Sequence, residues 1–184
     1  MADNIGKKFE LDFKKSCDLY NICHTRLVDS NKFGNNKGTR FTPKNPCDFI
    51  MYSYPNVYYL ELKSTLVNNI SFNQPVTVQE KDKPKPDIKS EQVSALLKYS
   101  QYRGVIAGLI LRFEDKNTHD GETYFIDIND FVNWTCKINK KSINKNDAKE
   151  LGIFIDSSML KVNKNYNMGK FIKDCENKYG IYGE

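Results

Sequence analysis

The chain has 184 residues, of which 39% are hydrophobic and 28% are charged, and its formal net charge is +5 at pH 7. These values are typical of a soluble globular protein that can bury a substantial core in one domain, residues 1–184. No apolar run approaches the length of a membrane span, and the polar first residues predict no signal peptide. The scattered cysteines contain no CxxC pair, which favours reduced thiols and a cytoplasmic setting. The positive charge indicates a modest preference for polyanions such as nucleic acid.

The chain opens with a predicted helix over residues 4–20 and continues with a predicted strand over residues 23–29. Asn4 is suited to cap the helix. Glu10 lies about one position from the apolar face of this helix, so it is either an ordinary surface glutamate or a side chain that reaches inward from the margin of the core. The buried stripe of the helix is predicted to consist of Phe9, Phe13, Cys17 and Tyr20.

Residues 30–45 are predicted to form a loop, because they are rich in Gly, Asn, Lys and Pro and poor in apolar side chains. A mobile basic loop of this kind suits contacts with the phosphates of a nucleic acid. An ordinary solvated loop explains the same composition equally well. The cations of the loop are Lys32, Lys37, Arg40 and Lys44.

Two predicted strands, at 47–53 and 57–63, form a hairpin that carries three ionisable side chains beside apolar neighbours. Asp48 lies at the start of the first strand, and Glu61 and Lys63 lie near the end of the second. Side chains alternate along a strand, so Glu61 and Lys63 point to the same face of the sheet.

The register of this hairpin is open between two turns. A turn centred on residues 54–55 places Asp48 opposite Glu61, whereas a turn centred on residues 55–56, which suits a proline at the second turn position, places it opposite Lys63. Both registers place Asp48 on the face of Glu61 and Lys63, and a one-residue slip would move it to the other face.

The second half of the chain predicts interleaved strands and helices. Residues 64–87 are predicted to be a long irregular segment, and its proline-rich end, which carries Lys83 and Lys85, is expected to be extended. Residues 105–113 are a nearly continuous apolar run, which is typical of a strand buried on both faces. The other predicted elements are a helix over 90–102 capped by Ser90, a strand over 123–128, a helix beginning at Asp130, a helix over 145–151, an apolar segment over 153–155 and a helix over 168–179. This order predicts an α/β layered domain.

The hairpin side chains Asp48, Glu61 and Lys63 suggest a metal site. Mg²⁺ binds through one or two carboxylates and keeps waters for a substrate phosphate, and a neighbouring lysine can hold a water or the scissile phosphate. A structural ion pair on a sheet face is the alternative explanation of the same spacing. The two histidines have no evident catalytic partner, and the cysteines lack the ligand spacing of a zinc site. No glycine-rich phosphate loop of the Walker or Rossmann type is present.

The two halves of the hairpin, Pro46-Cys47-Asp48 and Glu61-Leu62-Lys63, resemble the PD-(D/E)xK nuclease superfamily. More narrowly, the chain resembles the RecU-type Holliday junction resolvases of low-GC Gram-positive bacteria and their phages, also called penicillin-binding protein-related factor A. The family usually has threonines just before the aspartate and a longer preceding segment, which forms a stalk that engages junction DNA. Further segments that resemble the family in order and spacing are residues 6–10, 59–65, 70–72, Gln92 ahead of Gly104, 140–143 and 150–152.

The resemblance implies a restriction-endonuclease-like core, in which a mixed central β-sheet is flanked by helices. It also implies a Mg²⁺- or Mn²⁺-dependent DNA endonuclease, a homodimer without membrane association, that cleaves four-way junctions in a bacterial or phage-infected cell. Lys63 is implied to orient the attacking water, Gln92 to place that water or Lys63, and the loops at 30–45 and 64–87 to hold DNA. The implied metal ligands are Asp48, Glu61, the main-chain carbonyl of Leu62 and, directly or through water, Glu10.

Two other functions remain open. A restriction-type or repair nuclease would use the same residues on linear or flapped DNA. A non-catalytic binding or inhibitor protein on a nuclease fold would instead target another macromolecule, and the intact set of Asp48, Glu61 and Lys63 argues against it. Because the stalk segment is shorter than in the family, the sequence supports the nuclease core better than it supports junction specificity.

Overall fold

The computed structural model describes residues 5–27, 45–72, 86–115 and 121–180. The described helices are α1 (Ile5–Leu19), α2 (Ser90–Ser100), α3 (Ile128–Lys137), α4 (Lys145–Leu151) and α5 (Met168–Tyr179). The described strands are β1 (Cys23–Arg26), β2 (Phe49–Ser53), β3 (Asn56–Thr65), β4 (Asn69–Ser71), β5 (Val105–Glu114), β6 (Gly121–Asp127), β7 (Ser142–Asn144), β8 (Ile153–Phe154), β9 (Ser157–Leu160) and β10 (Asn163–Tyr166).

A six-stranded sheet with the order β1-β2-β3-β5-β6-β8 lies at the centre of the described chain. Strands β3 and β5 are parallel, and the other neighbouring strands in this sheet are antiparallel. A parallel pair needs a long crossover connection, and here the crossover contains α2, which packs against both strands that it joins. The sheet is therefore mixed, and its parallel pair carries the candidate site.

Helices cover both faces of this sheet. Helices α1 and α5 pack against one face, and their cluster includes Phe9, Phe13, Phe49, Leu60 and Phe171. Helices α2, α3 and α4 pack against the other face, and their cluster includes Leu96, Leu109, Ile126, Phe131 and Ala148. Each large apolar side chain buried in this way stabilises the fold by about 1.5–3 kcal/mol. The predicted fold class, an α/β architecture with a mixed central sheet flanked by helices, is confirmed, and β5 is buried on both faces as its apolar run predicts.

Several helix ends differ from the predictions. Helix α3 begins at Ile128, after its N-cap Asp127, and not at Asp130. The side chain of Tyr20, predicted on the buried stripe of α1, is 40% exposed, because the helix ends at Leu19 and the Tyr20 hydroxyl donates a hydrogen bond to Asn167 at 3.3 Å. The N-cap of α2 is Lys89, and Ser90 is the first residue of the helix. The predicted cap of α1, Asn4, lies outside the described residues.

Segments predicted as irregular contain short strands. Strand β4, within the predicted 64–87 segment, pairs with β7, which lies in a lysine-rich connection. The Asp87 carboxylate accepts hydrogen bonds from the Ser71 amide at 2.8 Å and from the Ser71 hydroxyl at 2.7 Å. These bonds hold the last residue of the 64–87 segment against the end of β4. Pairing between distant three-residue strands leaves no local periodicity, so the sequence pattern could not indicate it. Within the described residues, no helix is both long and apolar enough to cross a membrane.

Candidate active site

The β2–β3 hairpin adopts the first of the two predicted registers. Ser53 pairs with Asn56, so residues 54–55 form the turn. Phe49 pairs with Leu60, and the Asp48 amide donates a hydrogen bond to the Leu60 carbonyl at 3.1 Å. Asp48 therefore lies immediately before β2 and opposite Glu61.

The Asp48 carboxylate continues the ladder at the point where β2 stops. Its Oδ2 atom accepts a hydrogen bond from the Leu62 amide at 2.8 Å. A strand residue directs its N–H and C=O groups to the same side, so the Leu62 carbonyl oxygen faces the edge at which Asp48 lies. The Leu62 side chain lies on the face of the sheet opposite to Glu61 and is buried in the cluster under α1. This burial fixes the orientation of the Leu62 main chain.

Glu61 is the buried acid of the site. Its side chain is 2% exposed, and its Oε1 atom lies 2.8 Å from the Lys63 ammonium. The same oxygen accepts a hydrogen bond from the side-chain amide of Gln92. Burial raises the pKa of Glu61, the neighbouring Asp48 charge raises it further, and Lys63 opposes both effects. The negative charge of the buried Glu61 and of the half-buried Asp48 is therefore only partly compensated by one lysine.

Gln92 is held in place by the first turn of α2. Its side-chain oxygen accepts a hydrogen bond from the Lys89 amide at 3.0 Å, which leaves its amide nitrogen directed at Glu61. The positive end of the α2 dipole is consequently close to the Glu61 carboxylate, an arrangement that favours negative charge. The sequence placed Gln92 near the site from resemblance alone, and the structure brings it into direct contact.

Glu10 reaches the same region from α1. Its neighbour Phe9 is buried in the core, and its own side chain, 22% exposed, forms an ion pair with Arg26 at the end of β1. Burial raises the pKa of Glu10; the positive charge of Arg26 lowers it, and the Asp48 charge raises it. The Glu10 and Asp48 carboxylates are thus within electrostatic reach of each other.

Arg26 is a site residue that the sequence analysis missed. It pairs with Phe49 in the β1–β2 ladder, so it lies one position from Asp48 along the sheet edge. The signal that could have found it is the alternation of β1, which places its side chain on the same face as Phe49, the face covered by α1.

These residues surround a cleft of about 590 Å³. Glu10, Asp48, Glu61 and Gln92 line it, so four of the predicted side chains converge there. Its cationic lining consists of Lys7, Lys14 and Arg26. Lys63 is 21% exposed and joins the group through its ion pair with Glu61. The cleft therefore combines buried negative charge with positive charge at its margin.

The donor set fits Mg²⁺ or Mn²⁺ held mainly by two carboxylates. Among the described residues, no group of three or more His, Cys, Asp or Glu side chains is arranged to hold a metal ion. Asp48 and Glu61 are adjacent, however, and the Leu62 carbonyl faces the same edge. Mg²⁺ commonly uses one or two carboxylates and keeps several waters. A cation at this edge would offset the charge that raises the pKa of Glu61.

The predicted DNA-contacting cations cannot be placed in the site. Lys32, Lys37, Arg40 and Lys44 lie in the 28–44 segment, and Lys83 and Lys85 lie in the 73–85 segment. Both segments are outside the described residues. Their predicted contacts with DNA stay predictions.

Comparison with known proteins gives a related sequence and similar solved structures. No family model matches the chain. The SPbeta prophage-derived uncharacterized protein YotM of Bacillus subtilis (strain 168) is 28% identical over 181 residues, covering 92% of this chain and 85% of that protein. The structure of Hjc, a Holliday junction resolvase from the archaeal hyperthermophile Archaeoglobus fulgidus, is similar with a TM-score of 0.48 and 13% identity, covering 81% of this chain and 95% of that chain.

Proposed function

We propose that this protein is a Mg²⁺- or Mn²⁺-dependent endonuclease, built on a restriction-endonuclease-like core, that hydrolyses phosphodiester bonds in DNA. The observation that carries this proposal is the convergence of Asp48, Glu61, Lys63 and Gln92 at the point where β2 stops pairing with β3. A buried carboxylate next to a second one opposes folding, and such groups with perturbed pKa values cluster at functional sites. A purely structural ion pair would need only one of the two acids.

The oxygen ligands of this site are the Asp48 and Glu61 carboxylates and the Leu62 carbonyl. Glu10 would support such a metal through water, because Arg26 already holds its carboxylate. A divalent ion bound there would neutralise charge on the scissile phosphate and lower the pKa of a bound water. Arg26 in turn keeps Glu10 close to Asp48 and adds positive charge to the cleft.

Lys63 and Gln92 organise the reacting groups. The Lys63 ammonium, fixed 2.8 Å from Glu61, has further N–H donors that hold the attacking water and stabilise the charge that develops on the phosphate. Gln92 fixes the Glu61 carboxylate by donating to it. The Gln92 side-chain oxygen also accepts a hydrogen bond from the Lys89 amide. The start of α2 therefore determines where the hydrogen bond from Gln92 to Glu61 lies.

The proposed substrate is branched DNA, and four-way junctions in particular. The RecU-type resemblance of the sequence supports this choice, and the relative from a prophage supports a phage or prophage source. The cations Lys7, Lys14 and Arg26 lie where phosphates flanking the scissile bond would enter the cleft. As in the resembled family, the active form would be a homodimer that nicks two strands across the branch.

Cleavage of a labelled synthetic four-way junction with Mg²⁺ tests this proposal. Asp48→Asn and Lys63→Ala should each lower the cleavage rate by at least about 100-fold, the size of effect seen when one transition-state contact is removed. Two matched controls, Asp18→Asn on the exposed side of α1 and Lys145→Ala on α4, should cleave like the wild type. Calorimetric titration with Mg²⁺ should show binding that Asp48→Asn weakens.

A panel of linear, flapped and branched DNA separates the proposal from its alternatives. Preferred cleavage of linear or flapped DNA would replace the resolvase by a restriction-type or repair nuclease while keeping the same site. Full activity of both Asp48→Asn and Lys63→Ala would reject the assignment of the catalytic residues. Binding of DNA or protein without cleavage in any metal would favour a non-catalytic protein on a nuclease fold.

A further inference from the structure

Three tyrosines beside the candidate active site are joined by ring contacts, and a fourth projects from the same face of the sheet. The rings of Tyr59 on β3 and Tyr99 on α2 are stacked, with centroids 4.2 Å apart and planes at 16°. Tyr102, just beyond α2, lies 6.2 Å from Tyr99 and is 58% exposed. Tyr52 on β2 is 47% exposed. We call these four residues the tyrosine surface.

The strand register places this surface on the same face of the sheet as Glu61. Tyr59 lies two residues before Glu61 on β3, a distance of about 7 Å along a strand. Tyr52 pairs with Val57, so its side chain projects from the same face as Val57 and Tyr59. On α2, Gln92 contacts Glu61, and Tyr99 lies seven residues further along the helix, about two turns away. The surface therefore leads directly away from the buried acid of the site.

Packing of the core accounts for Tyr59, which lies against the cluster under α2, but not for Tyr52 and Tyr102. Tyr52 and Tyr102 keep about half of their area in water, and large exposed apolar side chains that cluster mark binding surfaces more often than scattered ones do. Aromatic rings with a polar tip are well suited to a surface that is wet when free and covered when bound.

The two chain segments that carry the tyrosine surface contain no acidic residue. The hairpin from residue 49 to 60 contains no charged residue, and residues 92 to 113 contain no Asp or Glu. The cations Lys98 and Arg103 lie on this second segment, and both are exposed. A polyanion would therefore meet aromatic rings and positive charge along these two segments, which lead to the proposed site of phosphodiester cleavage. A nucleic acid strand can occupy both the rings and that site, whereas an acidic or apolar protein partner would have no use for the site.

We propose that the tyrosine surface stacks the unpaired bases of a nucleic acid strand whose phosphodiester lies at Asp48, Glu61 and Lys63. This inference rests on the proposed function and specifies its substrate as DNA with single-stranded nucleotides next to the scissile bond. The 7 Å between Tyr59 and Glu61 corresponds to about two base steps of a stacked strand at about 3.4 Å each. Stacking on aromatic rings is tolerant of sequence, since every base has a flat face.

Binding of fluorescein-labelled oligothymidine to the full chain, measured by anisotropy in EDTA, tests this inference without cleavage. Base stacking on an aromatic ring corresponds to roughly a 5- to 150-fold change in affinity, so Tyr52→Ala and Tyr102→Ala should each weaken binding by about that factor. Tyr102→Phe keeps the ring and should bind within about twofold of the wild type. Tyr20→Ala removes a comparably exposed tyrosine that contacts Asn167, on the side of the sheet covered by α1 and α5, and should leave binding unchanged.

Three results would overturn the inference: no binding of oligothymidine by the wild type, equal binding by the alanine variants, or a fall in oligomeric mass on ultracentrifugation of Tyr52→Ala or Tyr102→Ala. The last result would assign the surface to contact between protein chains. Cleavage of junctions by the wild type together with equal oligothymidine binding by all variants would remove this inference alone. Loss of binding in the alanine variants together with no cleavage of any DNA would remove the proposed nuclease function and leave the stacking surface.

Discussion

Replacement of Arg112 by methionine tests the buried ion pairs that join α1 to the central sheet. The Arg112 side chain on β5 is 1% exposed, and its guanidinium contacts the fully buried Asp12 of α1 at 3.5 Å. It also forms an ion pair with Glu114 and lies over the ring of Phe9, 5.6 Å from the centroid. This cluster fixes the middle of the helix that carries Glu10 into the cleft.

The expected loss follows from the charge that the substitution leaves behind. Removing one partner of a buried pair costs about 3–5 kcal/mol, because the remaining charge stays desolvated and uncompensated. Arg112→Met leaves two acids, Asp12 and Glu114, in this position. We therefore expect the free energy of unfolding to fall by about 3–5 kcal/mol, a large part of the roughly 5–15 kcal/mol typical of a folded domain.

Urea unfolding followed by far-ultraviolet circular dichroism measures this loss. Lys14→Met is the matched control, because it removes a half-exposed ion pair with Asp18 on the same helix and should cost only about 0.5 kcal/mol. Replacing all three charged residues, with Asp12→Leu, Arg112→Met and Glu114→Leu together, should restore most of the stability, since apolar side chains need no compensation. A loss below about 1 kcal/mol in Arg112→Met, or a triple variant no more stable than the single one, would refute this reasoning.

Three further predictions concern the site and the sheet. Burial and a nearby carboxylate raise the pKa of Glu61 above its ordinary value of 4.5, so without metal the stability that depends on its protonated form is complete below pH 4.5 and is lost as the pH rises through the raised pKa. Glu61→Gln should remove this slope in urea unfolding in EDTA between about pH 5 and about pH 8, and an unchanged slope would contradict the assignment. Gly108→Ala should lower the free energy of unfolding by about 1–3 kcal/mol, because its Cβ would overlap a backbone oxygen and a phenyl ring of β6; thermal unfolding at the wild-type midpoint would disprove it. Arg26→Gln should raise the pKa of Glu10 further, since the arginine charge lowers it, and an NMR titration that finds it unchanged would exclude the pairing.

Local patterns in the sequence were sufficient to predict the elements that carry the site. Alternation along β3 placed Glu61 and Lys63 on one face, and the apolar run of β5 indicated a strand buried on both sides. The register of the hairpin was undecided, because both turns satisfy the same alternation and place Phe49 opposite a leucine; the structure pairs Phe49 with Leu60. The β4–β7 pair was missed for a related reason: its stability depends on contact between segments about 70 residues apart, which no local period records.

Arg26 was missed although it is as close to the site as Glu10. An arginine at the end of a four-residue strand is ordinary in a basic chain, and its role becomes visible only when β1 is aligned antiparallel to β2 and α1 is laid across that edge. The spacing of residues within a single helix or strand does not show how three separate elements, here α1, β1 and β2, meet. Lys63, in contrast, could be placed beside Glu61 by the alternation of one strand, whereas Gln92, 31 residues from Glu61, was placed by the resemblance alone.

The site exists because the β2–β3 ladder ends before the β3–β5 ladder does. Pairing of β3 with β2 stops at Leu60, whereas its pairing with β5 continues to Thr65. The Leu62 amide, which a longer β2 would have used, donates its hydrogen bond to the Asp48 carboxylate instead, so the Leu62 carbonyl is directed at the side of β3 that β2 leaves unpaired.

Asp48 therefore has a structural role as well as the proposed metal-binding role. Asp48→Asn keeps an oxygen that can accept the hydrogen bond from the Leu62 amide, and it removes only the charge. Asp48→Ala would leave the buried Leu62 amide without a hydrogen-bond acceptor. Loss of metal binding with retained stability in Asp48→Asn would separate the two roles.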